Sequence, residues 1–328
     1  MAHAYEIDPS MTWIPVHKTR KPCPICGHPD FCSVNARWVL CTRVPSHHPT
    51  ANGGWLHDRP DRAESLPVPP PVVAPLASIE QRDRVYRLLW QSLPLSLHHQ
   101  QYLSGRGLSK LEPFRSNPDG HRAEIARTIA SQLDVSGVPG FHSSHGVLVW
   151  GGRPGILLPV RDLQGRIQAV QVRADGPVEK GDRYRWITSS HQGGASPGTP
   201  VHVVGPGFAH NRIWITEGVL KATYAGELIH EPWLAVAGVA NVAPIFPVLS
   251  EMKPTTVVVA FDMDGAINDM VHRGTARLVT QLLQSGYHVV QATWPLAHKG
   301  IDDCLIARVR PTLHRVFSPQ DLRFPTAP

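Results

Sequence analysis

The chain has 328 residues, 42% hydrophobic and 18% charged, with 32 Lys and Arg against 26 Asp and Glu and a net charge of +6. That length allows two or three domains with an ample core, and no apolar run approaches the length a membrane span needs. The opening Met-Ala-His-Ala-Tyr-Glu-Ile-Asp has neither a basic start nor an apolar stretch, so a cytoplasmic location is expected rather than secretion.

Four of the five cysteines fall between Cys23 and Cys41. Cys23-Pro-Ile-Cys26-Gly27 forms a knuckle that points two thiolates at one centre, and Arg37-Trp-Val-Leu-Cys41 reads as a strand returning a last ligand. Zinc held by Cys23, Cys26, Cys32 and Cys41 is expected, with His28, His47 or His48 as alternatives to Cys32. Disulfides are the competing reading, and a cytoplasmic chain disfavours them. Pro67-Val-Pro-Pro-Pro-Val-Val-Ala-Pro75 then reads as a semi-rigid polyproline tether within residues 61–78.

From Ser78 the apolar spacing turns helical through Ile79, Val85, Leu88, Leu89 and Leu93, and a second helix is expected from Arg122 to Leu133. Strands are expected at 146–150, 156–160, 167–172 and 184–187, with Asp162-Leu-Gln-Gly165 as a hairpin turn. Residues 81–205 hold fifteen Lys and Arg against nine Asp and Glu, while 206–328 is balanced at ten each. Only seven basic residues are Lys, and the guanidinium fork of Arg suits phosphate. Trp150, Tyr184 and Trp186 are interleaved with these arginines and offer stacking surfaces for bases. The competing reading puts Trp150 and Trp186 in the core and the arginines on a solvated sheet face.

Beyond residue 206, strands and helices alternate. Strands at 213–216, 233–237, 257–261 and 289–292 with helices at 219–228, 243–252 and 268–285 form an α/β unit with a parallel sheet. Three acidic clusters punctuate it: Ile213-Trp-Ile-Thr-Glu217-Gly218, Val257-Val-Val-Ala-Phe-Asp262-Met-Asp264-Gly265, and Lys299-Gly-Ile-Asp302-Asp303. Parallel sheets carry their sites at the carboxyl ends of strands, and carboxylates two apart on a strand end lie on one side. Glu217, Asp262 and Asp264 are therefore expected to meet and to suit magnesium or manganese, with Lys221 facing a phosphate from the following helix.

The strand-end Glu-Gly followed by Asp-x-Asp resembles the Toprim domain of DnaG-type primases, topoisomerases and related nucleases. Upstream, Gln101-Tyr-Leu-Ser-Gly-Arg-Gly-Leu-Ser109, Gly155-Ile-Leu-Leu-Pro-Val-Arg-Asp-Leu-Gln-Gly-Arg-Ile167 and Arg185-Trp-Ile-Thr-Ser189 resemble segments of the primase catalytic core, in the same order. The resemblance implies a zinc ribbon (1–60), a linker (61–78), a basic α+β primase-core subdomain (79–205) and a C-terminal Toprim domain with a parallel sheet flanked by helices (206–328). It implies primer synthesis on a single-stranded DNA template from nucleoside triphosphates. Glu217, Asp262 and Asp264 would be catalytic and hold magnesium; Arg161, Arg166, Arg173, Arg185, Lys221 and Lys299 would contact template or nucleotide; Asp302 and Asp303 would be accessory. Gly300 stands where primases usually carry an aspartate, which, with the local Glu-Gly-x-x-Lys-Ala, fits a plasmid- and phage-borne branch.

Three readings compete. Phe261-Asp-Met-Asp-Gly265 also resembles the first motif of haloacid-dehalogenase phosphatases, but only 66 residues follow Asp262, too few for that fold. A non-catalytic single-strand-binding replication adaptor and a Toprim nuclease remain as alternatives. The chain has no Gly-x-x-x-x-Gly-Lys loop, and a replicative helicase acting in trans is left open as a partner.

Overall fold

A computed structural model describes residues 13–19, 21–35, 37–50, 54–60, 74–178, 183–205, 211–263 and 269–324. Most of the expected proline-rich tether, and Asp264, lie outside these residues. The chain divides into two compact units, Met1–Val72 and Val73–Pro328.

The first unit is an antiparallel sheet of β1 (Ile14–Pro15), β2 (Ser33–Val34), β3 (Trp38–Cys41) and β4 (Trp55–Asp58), paired in that order. Asn35 turns the chain between β2 and β3, its side-chain oxygen accepting from the N–H groups of Arg37 at 2.8 Å and Trp38 at 2.6 Å. Such Asx geometry stands in for a backbone turn.

The second unit begins with α1 (Ile79–Ser92) and α2 (Leu97–Gly105). Both open on serine caps: Ser78 accepts from Gln81 N–H and Ser96 from His99 N–H, satisfying donors that a helix start leaves open. Next come β5 (Arg115–Asn117), α3 (Arg122–Ala130), the hairpin β6 (Phe141–Ser144) and β7 (Val147–Trp150), then β8 (Gly155–Arg161), β9 (Ile167–Ala174) and β10 (Tyr184–Trp186). These strands make a four-stranded antiparallel sheet, β10-β9-β8-β5, beside the separate β6–β7 ribbon. Its faces differ. Leu157, Val170 and Val172 pack with α1, α3 and Trp150, whereas Ile156, Leu158, Val160 and Ala169 pack with Leu103 and Phe114.

The remainder is β11 (His202–Val204), β12 (Arg212–Glu217), α4 (Val219–Ile229), β13 (Trp233–Val236), α5 (Ile245–Met252), β14 (Thr256–Val259), α6 (Asp269–Gln284), β15 (His288–Thr293), α7 (Ile301–Ile306) and β16 (Thr312–Val316). Its sheet runs β11-β13-β12-β14-β15-β16. The four strands expected from sequence are its parallel centre, and antiparallel edges β11 and β16 make the sheet mixed rather than purely parallel. The centre is apolar in unbroken runs because both faces are covered. Ile213, Ile215, Val257 and Val259 meet Leu249 of α5 and Leu278 and Leu282 of α6, while Trp214, Trp233 and Val258 meet Ala222 of α4 and Ile301 of α7.

Helix α4 also ties the two sheets together. Its Val219, Leu220 and Tyr224 join the cluster that contains Leu103, Ile156 and Leu158. The stretches 79–205 and 206–328 thus share one apolar cluster, and the first turn of α4 lies along their seam.

Candidate active site and metal centre

In the first unit, the ligand atoms of Cys23, Cys26, Cys32 and Cys41 all lie within 4.8 Å of one another. The Cys26–Cys32 sulfurs are 3.7 Å apart and the Cys32–Cys41 sulfurs 3.9 Å, against roughly 3.8 Å for the edge of a tetrahedron with zinc–sulfur bonds of about 2.3 Å. The donor set is therefore that of a four-cysteine structural zinc site, with Cys32 and not a histidine completing it. The surroundings suit the excess negative charge of four thiolates on one dication. Val44 N–H donates to Cys41 Sγ at 3.3 Å, and Arg43 reaches Cys32 Sγ at 3.8 Å while paired with Asp30. Burial would raise the Cys26 thiol, but the His28 backbone N–H and the neighbouring thiols bring it down to about 7.

In the second unit, β12 ends at Glu217 and β14 leads to Asp262 on the adjacent parallel strand, in a register that aligns Ile215 with Val259. The two carboxylates accordingly share the carboxyl edge of the sheet. Gly218 follows Glu217 at φ +80°, a left-handed conformation that L side chains avoid, and lets the chain turn from β12 directly into α4. That turn brings Lys221 back over the edge. Its ammonium pairs with Asp262 Oδ1, while Lys299 Nζ stands 4.0 Å from Asp262 Oδ2. Burial alone would lower the pKa of Lys221; the charges of Asp262, Glu217 and Asp302 overcome this and raise it.

The third acidic cluster divides. Asp302, 2% exposed, pairs with Arg106, the residue that caps the end of α2, and its Oδ1 has no hydrogen-bond partner among the described residues. Asp303 Oδ2 instead accepts from Gly300 N–H at 3.2 Å and caps α7. A Cβ on Gly300 would stand 2.4 Å from Asp302 Oδ1 and 3.0 Å from Lys221 Cε, so the Lys221 side chain fills the space that a side chain at 300 would need.

A cleft of about 270 Å3 opens on this edge, lined by Arg106, Gln171, Tyr184, Trp186, Glu217 and Lys221 among others. The end of α2 brings Arg106 to its wall, and His99 anchors that helix, sharing hydrogen bonds with Ser116 Oγ at 2.6 Å and Asp175 Oδ1 at 2.9 Å. Tyr102 follows on the same helix and Arg106 caps its end. Tyr102 OH accepts from Arg106 at 3.2 Å, and the Arg173 guanidinium lies 3.9 Å from the centre of the Tyr102 ring.

The four arginines expected to meet nucleic acid have different surroundings. Arg173 stacks beside the cleft on Tyr102. Arg161 donates to Gly165 O at 2.9 Å, and Arg166 binds Asp162 at 2.7 Å and Glu80 at 2.6 Å. Arg161 and Arg166 therefore brace the β8–β9 hairpin and do not line the cleft. Arg185 lies on β10 opposite Val172, and it too is absent from the cleft lining. Trp150 is wholly buried and donates to Asn117 Oδ1 at 2.7 Å; it belongs to the core, whereas Tyr184 and Trp186 face the cleft. The sequence reading left out Arg106 and Gln171. Arg106 sits inside a recognised segment but carries no spacing signal of its own, and Gln171 is an uncharged residue in a strand; its one clue was an amide among apolar neighbours.

No protein-family model matches this sequence, and no curated protein matches it. Solved structures do. A fragment of the Aquifex aeolicus primase holding its zinc-binding and RNA polymerase domains superposes with a TM-score of 0.54 at 16% identity, over 75% of this chain and 60% of that one. The RNA polymerase domain of Mycobacterium tuberculosis primase DnaG gives 0.53 at 12% identity, over 72% of this chain and 84% of that one. The fold is that of a DnaG-type primase core. The same mycobacterial domain in complex with a double-stranded DNA oligomer bearing a 6-nucleotide overhang also matches, at 0.53 and 12% identity over 71% and 77% of the two chains. This chain spans less than two thirds of the Aquifex fragment, and within the primase-core fold its cleft lies where Arg106, β9 and β10 face the edge of the mixed sheet. Among the described residues, no helix is long and apolar enough to cross a membrane.

Proposed function

We propose that this chain synthesises short oligonucleotide primers on single-stranded DNA from nucleoside triphosphates, by phosphoryl transfer dependent on magnesium or manganese. The observation that carries the reading is the meeting of Glu217, Asp262 and Lys221 at one sheet edge within a primase-core fold. The donors suit a hard divalent cation: the strands of Glu217 and Asp262 end on one edge, and the buried Asp302 Oδ1 has no hydrogen-bond partner among the described residues. Glu217 and Asp262 would hold the ion together with Asp264. When bound, it offsets negative charge that develops on the transferred phosphoryl group.

The chain's own residues do the positioning. Lys221 and Lys299 flank Asp262, and the positive end of α4 opens beside them toward an anionic substrate. Arg106, held by Tyr102 and Asp302, adds a fixed guanidinium on the opposite wall. We assign 206–328 as a Toprim catalytic domain, 79–205 as the basic core subdomain that holds the strand, and 1–60 as a zinc ribbon that scans template on the 61–78 tether. In this reading Gly300 and the Glu-Gly-x-x-Lys-Ala run fit a plasmid- and phage-borne branch of primases, and a replicative helicase is a candidate partner in trans. The overhang-bearing duplex seen with the mycobacterial domain supports a strand-binding role.

Labelled-nucleotide incorporation on varied single-stranded templates, with each metal in turn, tests the reading. Glu217→Gln and Asp262→Asn should each lose about a hundredfold or more of synthesis while keeping salt-sensitive strand binding, which rests on other residues. Wild type that cleaves DNA without making product points to a nuclease, and wild type that only binds points to an adaptor.

A further inference from the structure

Gln171 is 6% exposed, yet it lines the cleft and its side-chain amide has no hydrogen-bond partner among the described residues. The amide is not sealed in the core but opens on the cleft, where its donor and acceptor are free to meet a ligand. The register defines what surrounds it. Gln171 is the direct cross-strand neighbour of Trp186, and Arg173, two residues on, faces Tyr184. Side chains two apart on a strand share a face. This face therefore passes from apolar Ile156, Leu158 and Ala169 to an amide and two aromatic rings where it reaches the cleft, with the Arg173 guanidinium stacked on Tyr102 beside it.

That combination matches one chemical class. Aromatic rings take a flat ring by stacking, and a carboxamide offers a donor and an acceptor side by side, the pattern that an amide presents to a base edge. At about 270 Å3 the cleft is at the small end of ligand sites, which run from roughly 300 Å3 upward, so it admits one ring system and leaves a polyanionic tail outside. Arg106 and Lys221 on the same walls supply the positive charge for that tail.

We infer that Gln171 holds a nucleobase by paired hydrogen bonds while the base stacks against Tyr184 and Trp186, making Gln171 a base-contacting residue of this site. The inference rests on the proposed reading in taking a nucleotide as the ligand. The base belongs either to a nucleoside triphosphate or to the bound strand, and the two sources are separable.

Titration calorimetry on the full chain, with no divalent metal added, compares ATP, inorganic tripolyphosphate and a twelve-nucleotide single strand as probes. Gln171→Met keeps the volume and removes both hydrogen-bonding atoms. Tyr184→Ala removes a stacking ring that is 41% exposed and so threatens the fold little. Each should weaken ATP about tenfold and leave tripolyphosphate within about twofold, with unchanged thermal melting. A loss confined to the oligonucleotide would support the same contact and assign the base to the strand. Wild-type affinity for ATP and oligonucleotide in Gln171→Met, equal losses for ATP and tripolyphosphate, or no binding of either base-bearing probe by wild type would overturn the inference. A Gln171-dependent base contact in a protein that makes no primers would sink the primase reading alone; primer synthesis with Gln171→Met indistinguishable in binding would sink this inference alone.

Discussion

Three of the six residues in the buried cluster of the N-terminal unit are cysteines, whereas the four clusters of the larger unit include a single one, Cys304. The small unit has short strands and few buried aliphatic side chains, among them Val16, Val34, Val39 and Leu56. Its centre is the metal site. The larger unit buries both faces of a mixed sheet and can therefore place polar groups, such as Arg106, Asp302 and Gln171, at its seams. One unit depends on a bond to an ion and the other on apolar area. Their responses to chelation, to loss of a buried charge and to pH should differ accordingly.

The largest effect is expected from zinc removal. Structural zinc contributes about 10–16 kcal/mol of binding free energy in zinc-finger peptides, more than so small a core supplies. Stripping the metal, or Cys23→Ser, should abolish amide protection in β2 and β3 and leave β12 to β15 protected in hydrogen exchange. Elemental analysis should find about one zinc per chain. Fewer than half an equivalent in protein never exposed to chelator, or a protected β3 after stripping, would break the comparison.

A smaller effect, confined to the larger unit, is expected from Arg106→Ala. It leaves Asp302 buried without its guanidinium, a change that typically costs about 3–5 kcal/mol. Urea denaturation should show this as a lower midpoint, and Arg106→Met combined with Asp302→Leu should recover much of it. A midpoint unchanged in Arg106→Ala would mean that the pair is solvated and the seam does not depend on it.

The smallest effect is a pH dependence. His202 of β11 accepts from Arg161 N–H of β8 at 2.9 Å through Nδ1. Burial, with Arg161 adding to it, pushes its pKa from 6.5 down to about 3. The unfolded chain thus takes up a proton below about pH 6.5 that the folded one refuses until about pH 3, so stability is full above that window and falls on acidification through it. The slope from this one group is at most about 1.4 kcal/mol per pH unit. His202→Asn, whose oxygen still accepts from Arg161 N–H and does not titrate, should flatten the urea midpoint against pH between about 4 and 6.5; an identical slope in the variant would remove His202 as the cause.

Much of this architecture was legible in the residues. The parallel centre of the sheet was visible because strands buried on both faces need unbroken apolar runs, and Ile213–Thr216 and Val257–Phe261 are such runs. Helices α1, α3, α4, α5 and α6 showed in their apolar spacing or in their place between strands. Short elements did not show: α2, α7 and the edge strands β11 and β16 have weak or mixed patterns, since an element of three to nine residues that buries one side gives period analysis too little to act on. In the arginine-rich segment, charge count does not distinguish a guanidinium that braces a turn, as in Arg161 and Arg166, from one that stands beside a cleft, as in Arg173.

By itself, the sequence determined the strand-end positions of Glu217 and Asp262 and the grouping of the four cysteines, because strand period and ligand spacing are local properties of the chain. Only the tertiary structure decided that α4 lies along the seam between two sheets, that Lys221 occupies the space beside Gly300, that Arg106 pairs with Asp302 across 196 residues of chain, and that Gln171 faces the cleft with its amide unpaired. These depend on how two separately patterned sheets pack against one helix, and that packing is fixed by the shared apolar cluster of Leu103, Ile156, Val219 and Tyr224, whose members are too far apart in sequence for any local pattern to join.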